Sequence, residues 1–126
     1  MAKFKTEQYG NRKEILKFPD HYVALAVTVD DEGVVANEDG KKIVPAGTII
    51  GGKEGSILEN ETDVVVNKNT PELAAGAEGV LFRDVDVTYG KAAGSMIIHG
   101  FIAEDKLPEK LQAGVKEALK QIHFIK

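Results

Sequence analysis

Cysteine is absent from the 126-residue chain, so neither a disulfide framework nor thiolate chemistry is available to it. A cysteine-free chain suits a reducing cytosol and an oxidising exterior equally. No apolar run approaches the roughly 18–20 residues that a membrane-spanning helix needs. Met1-Ala2-Lys3-Phe4-Lys5 is followed by Thr6-Glu7-Gln8 and not by an apolar stretch, so no secretory signal is expected. Repeats and low-complexity tracts are missing as well. What remains is an ordinary globular composition, 43% hydrophobic and 29% charged. At this length it supports one domain that can bury its own core.

The formal charge of −4 is unevenly spread. Residues 1–17 carry five Lys or Arg and two Glu; residues 18–105 carry six Lys or Arg against sixteen Asp or Glu; residues 106–126 carry five Lys and two Glu. An acidic body thus lies between two basic ends. That distribution argues against nucleic acid, whose phosphates demand a basic patch. The basic start suits an acidic protein surface instead.

Residues 1–20 hold no period of 2 or 3.6 and contain Gly10, Asn11 and Pro19, so they are expected to form an extended arm preceding a single β-rich domain over 21–126. Val23-Ala24-Leu25-Ala26-Val27-Thr28-Val29 reads as a buried strand. Asn37-Glu38-Asp39-Gly40 predicts a tight hairpin turn between Val34-Val35 and Lys41-Lys42-Ile43-Val44. Pro45-Ala46-Gly47 predicts a second turn before Thr48-Ile49-Ile50-Gly51-Gly52, which together describe a β-meander. Residues 53–78 are polar and irregular and read as a long excursion, with a short strand at Val64-Val65-Val66. Gly79 to Thr88 and Ser95 to Ala103 predict two antiparallel strands. In the first of these, Leu81, Val85 and Val87 share one face, and Asp84, Asp86 and Thr88 share the other. Pro108, followed by Leu111, Val115, Ala118, Leu119 and Ile122 at spacings of 3 and 4, predicts a C-terminal amphipathic helix. The apolar tail His123-Phe124-Ile125 is expected to dock on the core. The fold expected is therefore α+β, mainly β: a small antiparallel β-barrel or sandwich with one C-terminal helix.

Residues of chemical interest are few. His21, His99 and His123 are not spaced as a metal pair on one helix or strand, and His99, within an apolar strand, reads as a packed or interface residue. Asp84 and Asp86 could in principle hold a hard cation or act as acid and base, but beside Arg83 they read as a solvated strand face. An enzyme would need Asp84, Asp86 and His99 to converge in one cleft. Gly51-Gly52-Lys53-Glu54-Gly55-Ser56 lacks the order of a phosphate-binding P-loop, and neither Ser56 nor Ser95 lies in a nucleophile elbow. No catalytic, cofactor-binding or metal-binding residues are expected.

The ordered set Ile43-Val44-Pro45-Ala46-Gly47-Thr48-Ile49-Ile50-Gly51, Ala77-Glu78-Gly79-Val80-Leu81-Phe82-Arg83-Asp84-Val85-Asp86-Val87-Thr88 and Gly94-Ser95-Met96-Ile97-Ile98-His99-Gly100-Phe101-Ile102 resembles the head decoration proteins of lambda-like tailed phages. The segment after Lys106-Leu107-Pro108 is similar to the type found in prophages of Gram-positive bacteria. The resemblance spans roughly residues 20–126. It implies a non-enzymatic structural protein of the virion exterior, present in the host cytoplasm during assembly. Such a protein binds the major capsid protein of the expanded lattice, as a homotrimer, without contacting nucleic acid or membrane. An extended arm can add a strand to a capsid edge, and Lys3, Phe4, Lys5, Tyr9 and Arg12 are the contacts expected of this one. The lambda-type protein is shorter and lacks a long C-terminal helix. The alternative expectation is a β-barrel module that binds a small ligand or glycan, for which a concave apolar pocket is the signature.

Overall fold

A computed structural model of the chain describes residues 14–126. The expected contacts Lys3, Phe4, Lys5, Tyr9 and Arg12 lie outside the described residues.

Among the described residues the strands are β1 (Val23–Val29), β2 (Ile43–Val44), β3 (Ile49–Gly52), β4 (Val64–Asn67), β5 (Gly79–Leu81), β6 (Val85–Asp86), β7 (Ala92–Ala103) and β8 (Ile122–Ile125), with one α-helical turn, α1 (Val115–Ala118), and two short 3-10 turns at Ala74–Gly76 and Glu104–Lys106. The mainly β class is as expected, but the main sheet is mixed. Its pairings run β1–β4, β4–β3, β3–β5, β5–β7 and back from β7 to β1, so five strands form a cycle, and β8 adds to the far half of β7. The β1–β4 and β7–β8 pairs are parallel, which corrects the purely antiparallel expectation. Parallel neighbours need long crossovers, and the chain supplies them through residues 30–63 and 104–121.

Alternation along the strands sorts the apolar residues into two clusters. One holds Val27, Val29, Ile50, Val65, Leu81 and Met96, and so draws on every strand of the cycle. The other holds Ile49, Val80, Ile97 and Ile102 from the opposite faces of the same strands, covered by Ile15, Leu16, Ala74, Val115, Leu119 and Ile122. β7 supplies both, because Met96 and Ile97 point to opposite sides, each with no exposed surface.

Three local expectations change. Residues 15–17 belong to the body. Ile15 and Leu16 are buried, Lys17 donates its N–H to the Phe101 carbonyl at 2.8 Å, and Ala103 donates to Ile15 at 2.7 Å. The boundary expected at residue 20 thus falls earlier, because two aliphatic side chains find a cover position over β7. The meander is also replaced. The Asn37–Gly40 turn forms, with Asn37 Oδ1 accepting from Asp39 and Lys41 N–H groups, but β2 pairs with distant β6 and not with residues 34–35. Nor is the 53–78 stretch an excursion throughout, since β4 lies between β1 and β3.

The C-terminal helix is one turn long. Gly114 has φ +94, a left-handed conformation that ends regular helix on its N-terminal side. Residues after Ala118 leave the helix, and Ile122–Ile125 pair with Gly100–Ala103 of β7. The apolar spacing nonetheless marks burial correctly: Val115, Leu119 and Ile122 are buried and Leu111 packs against them.

The predicted strand over 79–88 is broken. After Leu81 the chain bends so that Asp84 Oδ1 accepts the Ala46 N–H at 2.7 Å. The Pro45–Thr48 turn is pinned there, with Gly47 at φ +93. Leu81, Val85 and Val87 still share the buried side. No helix among the described residues is long and apolar enough to cross a membrane.

Candidate functional site

On β7 the side chains of His99 and Phe101 leave the same face of the strand. The parallel register sets Phe101 opposite His123, and the β1 register sets His99 opposite Val23. The chain before β1 folds over this face. Phe18 meets Phe101 edge-on at 5.3 Å between ring centroids. His21 lies 5.3 Å from His99 and 5.6 Å from Phe101. His123 stacks on Phe101 at 5.4 Å, and Tyr22 packs on Phe82 at 5.2 Å. Arg83 lies over the Phe82 ring and pairs with Glu14 at 3.2 Å.

His21 and His123 thus both pack on one phenylalanine, and His99 packs on His21. Phe18, beside Phe101, and Val23, opposite His99, remain 47% and 49% exposed, so this face is an open apolar surface and not a core. Sequence reasoning missed this assembly. The alternation of His99 and Phe101 was visible, but the parallel docking of β8 and the fold-over of residues 18–22 were not.

Asp84, Asp86 and His99 are not brought together. Asp84 holds the Ala46 turn, and Asp86 accepts from the Thr88 N–H and hydroxyl. The Thr88 bonds keep the Asp86 carboxyl below the usual carboxylate range. Both aspartates belong to the β6 region, where Val85 packs over Gly94 near the start of β7. Five residues of strand separate Gly94 from His99, a distance of roughly 17 Å. The two carboxylates are turn caps, which corrects the reading of them as a merely solvated face. Among the described residues no three His, Asp or Glu side chains converge closely enough to hold a metal ion.

A second feature is a cleft of about 220 Å³. Val29, Val34, Val44, Ile50 and Val65 form its apolar wall, and Asp30, Glu32 and Glu109 line its rim. Lys53 bridges Asp30 at 3.2 Å and Glu32 at 2.6 Å. Glu32, then Asp30, hold the lysine in its charged form and raise its pKa. At Asp30 burial opposes ionisation, but the Lys53 ammonium and the N–H groups of Glu32 and Asp31 outweigh it, so its pKa is lowered. Wider depressions of about 280, 320 and 500 Å³ elsewhere are lined by mixed polar residues.

The loop after β3 is organised by one carboxylate. Glu78 accepts from the N–H groups of Gly52 and Ile57 and from the Ser56 hydroxyl. Burial alone would raise its pKa, but these bonds together lower it. A carboxyl whose folded pKa is depressed stabilises the fold above its unfolded value. That contribution is lost as pH falls through the folded value. The Glu78→Gln variant is therefore expected to lose about 1–3 kcal/mol at neutral pH and to show a shallower loss of stability between pH 5 and pH 3 than the parent. Urea melts across that interval check it, and parallel pH profiles for the two proteins would contradict it.

Compared with models of protein families, with curated proteins and with solved structures, the chain matches none.

Proposed function

We propose that this chain is a non-enzymatic head decoration protein of a tailed phage. It binds the outside of the expanded capsid and stabilises the lattice. One observation supports the reading beyond the family resemblance: Phe18 and Val23, each about half exposed, lie beside Phe101 and opposite His99 on β7, an open apolar surface that fits a macromolecular partner better than a small molecule. The basic N-terminal segment enters the body along the same end of β7, through Ile15–Lys17. Lys3, Phe4, Lys5, Tyr9 and Arg12 would extend the contact onto the major capsid protein.

On this reading the five-strand cycle is a small barrel, and the protein sits as a homotrimer at a local symmetry axis of the lattice. Symmetry of the site selects symmetry of the binder, and tethering to one particle multiplies a modest contact per copy. The protein assembles in the host cytoplasm and resides on the virion exterior.

Co-sedimentation with expanded capsids of the phage that encodes the chain tests the proposal. Saturable, stoichiometric binding is expected, with at least a tenfold loss in the double variant Phe18→Ser, Val23→Ser, since a few apolar anchors dominate interface energies. Failure of the parent protein to pellet with capsids overturns the assignment. Equal binding by the variant moves the contact away from this face.

The Asp30, Glu32 and Glu109 cleft supports a second reading, a small-ligand or glycan module. At about 220 Å³ it falls below the roughly 300–1,000 Å³ usual for ligand sites, which ranks it behind the open face.

A further inference from the structure

His21 and His99 come from segments 78 residues apart in the sequence, and two backbone features place one over the other. The β1–β7 register shifts between Val23 and Ala24. Such a bulge bends the strand and re-aims the residues beside it. Gly100 then lets the backbone of residues 21–22 close down on β7. A Cβ at that position would meet Tyr22 Cβ at 3.2 Å and the His21 carbonyl at 3.5 Å. The two imidazoles end edge to face, with centroids 5.3 Å apart and planes at 62°. Nδ1 of His99 is buried and has no hydrogen-bond partner among the described residues. Buried ring nitrogens are ordinarily paired, so this one lacks what it needs.

From these observations we infer a two-histidine site for a borderline divalent transition metal, Zn²⁺, Ni²⁺ or Cu²⁺, formed by His21 and His99. The distance argument is direct. A metal about 2.0–2.1 Å from a ring nitrogen lies ~3.2 Å from that ring's centroid, and a tetrahedral angle between two such ligands separates the centroids by about 5.2 Å. The observed 5.3 Å matches that separation, and the movement required is a turn of the exposed His21 ring that aims one of its nitrogens at the shared ion. The ion would take the lone pair of His99, and water would complete its shell, because no third ligand converges there among the described residues. Imidazole suits these ions and not calcium or magnesium, whose ligands are oxygens. Phe101 packs against His21 and forms an apolar wall beside the pair. His123 stacks on Phe101 from the neighbouring strand β8 and serves as an internal control. The inference does not depend on the capsid reading.

Calorimetric titration of the full chain with NiCl₂ and ZnCl₂ tests it, alongside the His21→Gln, His99→Gln and His123→Gln variants. One equivalent is expected to bind and to raise the melting temperature, as any ligand selective for the folded state does. Binding should weaken at least tenfold in His21→Gln and in His99→Gln, and change less than twofold in His123→Gln. His21 is exposed, so His21→Gln keeps the test meaningful even if His99→Gln disturbs packing. The Cu²⁺ complex should show hyperfine coupling to two nitrogens that falls to one in His21→Gln. Absence of stoichiometric binding, or binding indifferent to His21→Gln, overturns the site.

Discussion

Deletion of residues 1–17 will cost much more of the domain's stability than deletion of residues 1–13. The difference lies in four residues. Ile15 is fully buried and Leu16 is 5% exposed, both in the cluster shared with Ile102, Val115, Leu119 and Ile122. Emptying a buried aliphatic site costs about 2–5 kcal/mol, so losing both removes a large part of the ~5–15 kcal/mol that holds a domain of this kind. The backbone adds to this. Ala103 and Phe101 would lose their partners Ile15 and Lys17 on that side of β7, which opens an edge beside the aromatic face. Urea melts of the two truncated chains measure the difference. Two superimposable melts would show that residues 14–17 contribute little and that the arm extends to residue 20 after all. The result bears on function too, because a deletion that unfolds the body says nothing about whether residues 1–13 contact a capsid.

What could be read from the sequence was local, and what could not was long-range. The strand Val23–Val29, the Ser95 to Ala103 part of the later strand Ala92–Ala103, the Asn37–Gly40 turn and the Pro45-Ala46-Gly47 turn are each specified by residues within a few positions of one another. Even Val64–Asn67 was visible as a β-branched run. Pairing partners were not. β2 joins β6 through a register of Ile43 with Asp86 and Val44 with Val85, and nothing in either dipeptide names the other. The C-terminal segment shows how a correct pattern can mislead. Leu111, Val115, Leu119 and Ile122 sit at helical spacing and do face the core. A left-handed Gly114 and the free edge of β7 instead give one helical turn followed by a strand, because tertiary pairing outweighs a modest helix propensity. The candidate site suffered most from this limit. His21, His99 and His123 look unrelated along the chain, and only a bulge, a close-approach glycine and a parallel strand assemble them.

Gly79→Ala should be a severe single substitution. Gly79 begins β5, which lies between β3 and β7 in the cycle, and it pairs with Ile50. A methyl group there would overlap the Met96 side chain and stand 2.5 Å from the Ile97 carbonyl oxygen. Met96 and Ile97 are both fully buried, one in each apolar cluster, so neither side has slack. A side-chain clash alone can be relieved by rotation, but the carbonyl belongs to the central strand and cannot move without disturbing pairs on both flanks. The cost is therefore placed at about 3 kcal/mol, the upper end of the usual range for overpacking a core. Combining it with Met96→Ala separates the two causes. If the Met96 side chain were the obstacle, the double variant would be more stable than the sum of the single effects by a wide margin. Because the Ile97 carbonyl remains in place, the two losses should instead nearly add. A loss below roughly 1 kcal/mol for Gly79→Ala alone would mean that β5 and β7 separate easily, and the close approach of the two strands would have to be abandoned as a source of stability.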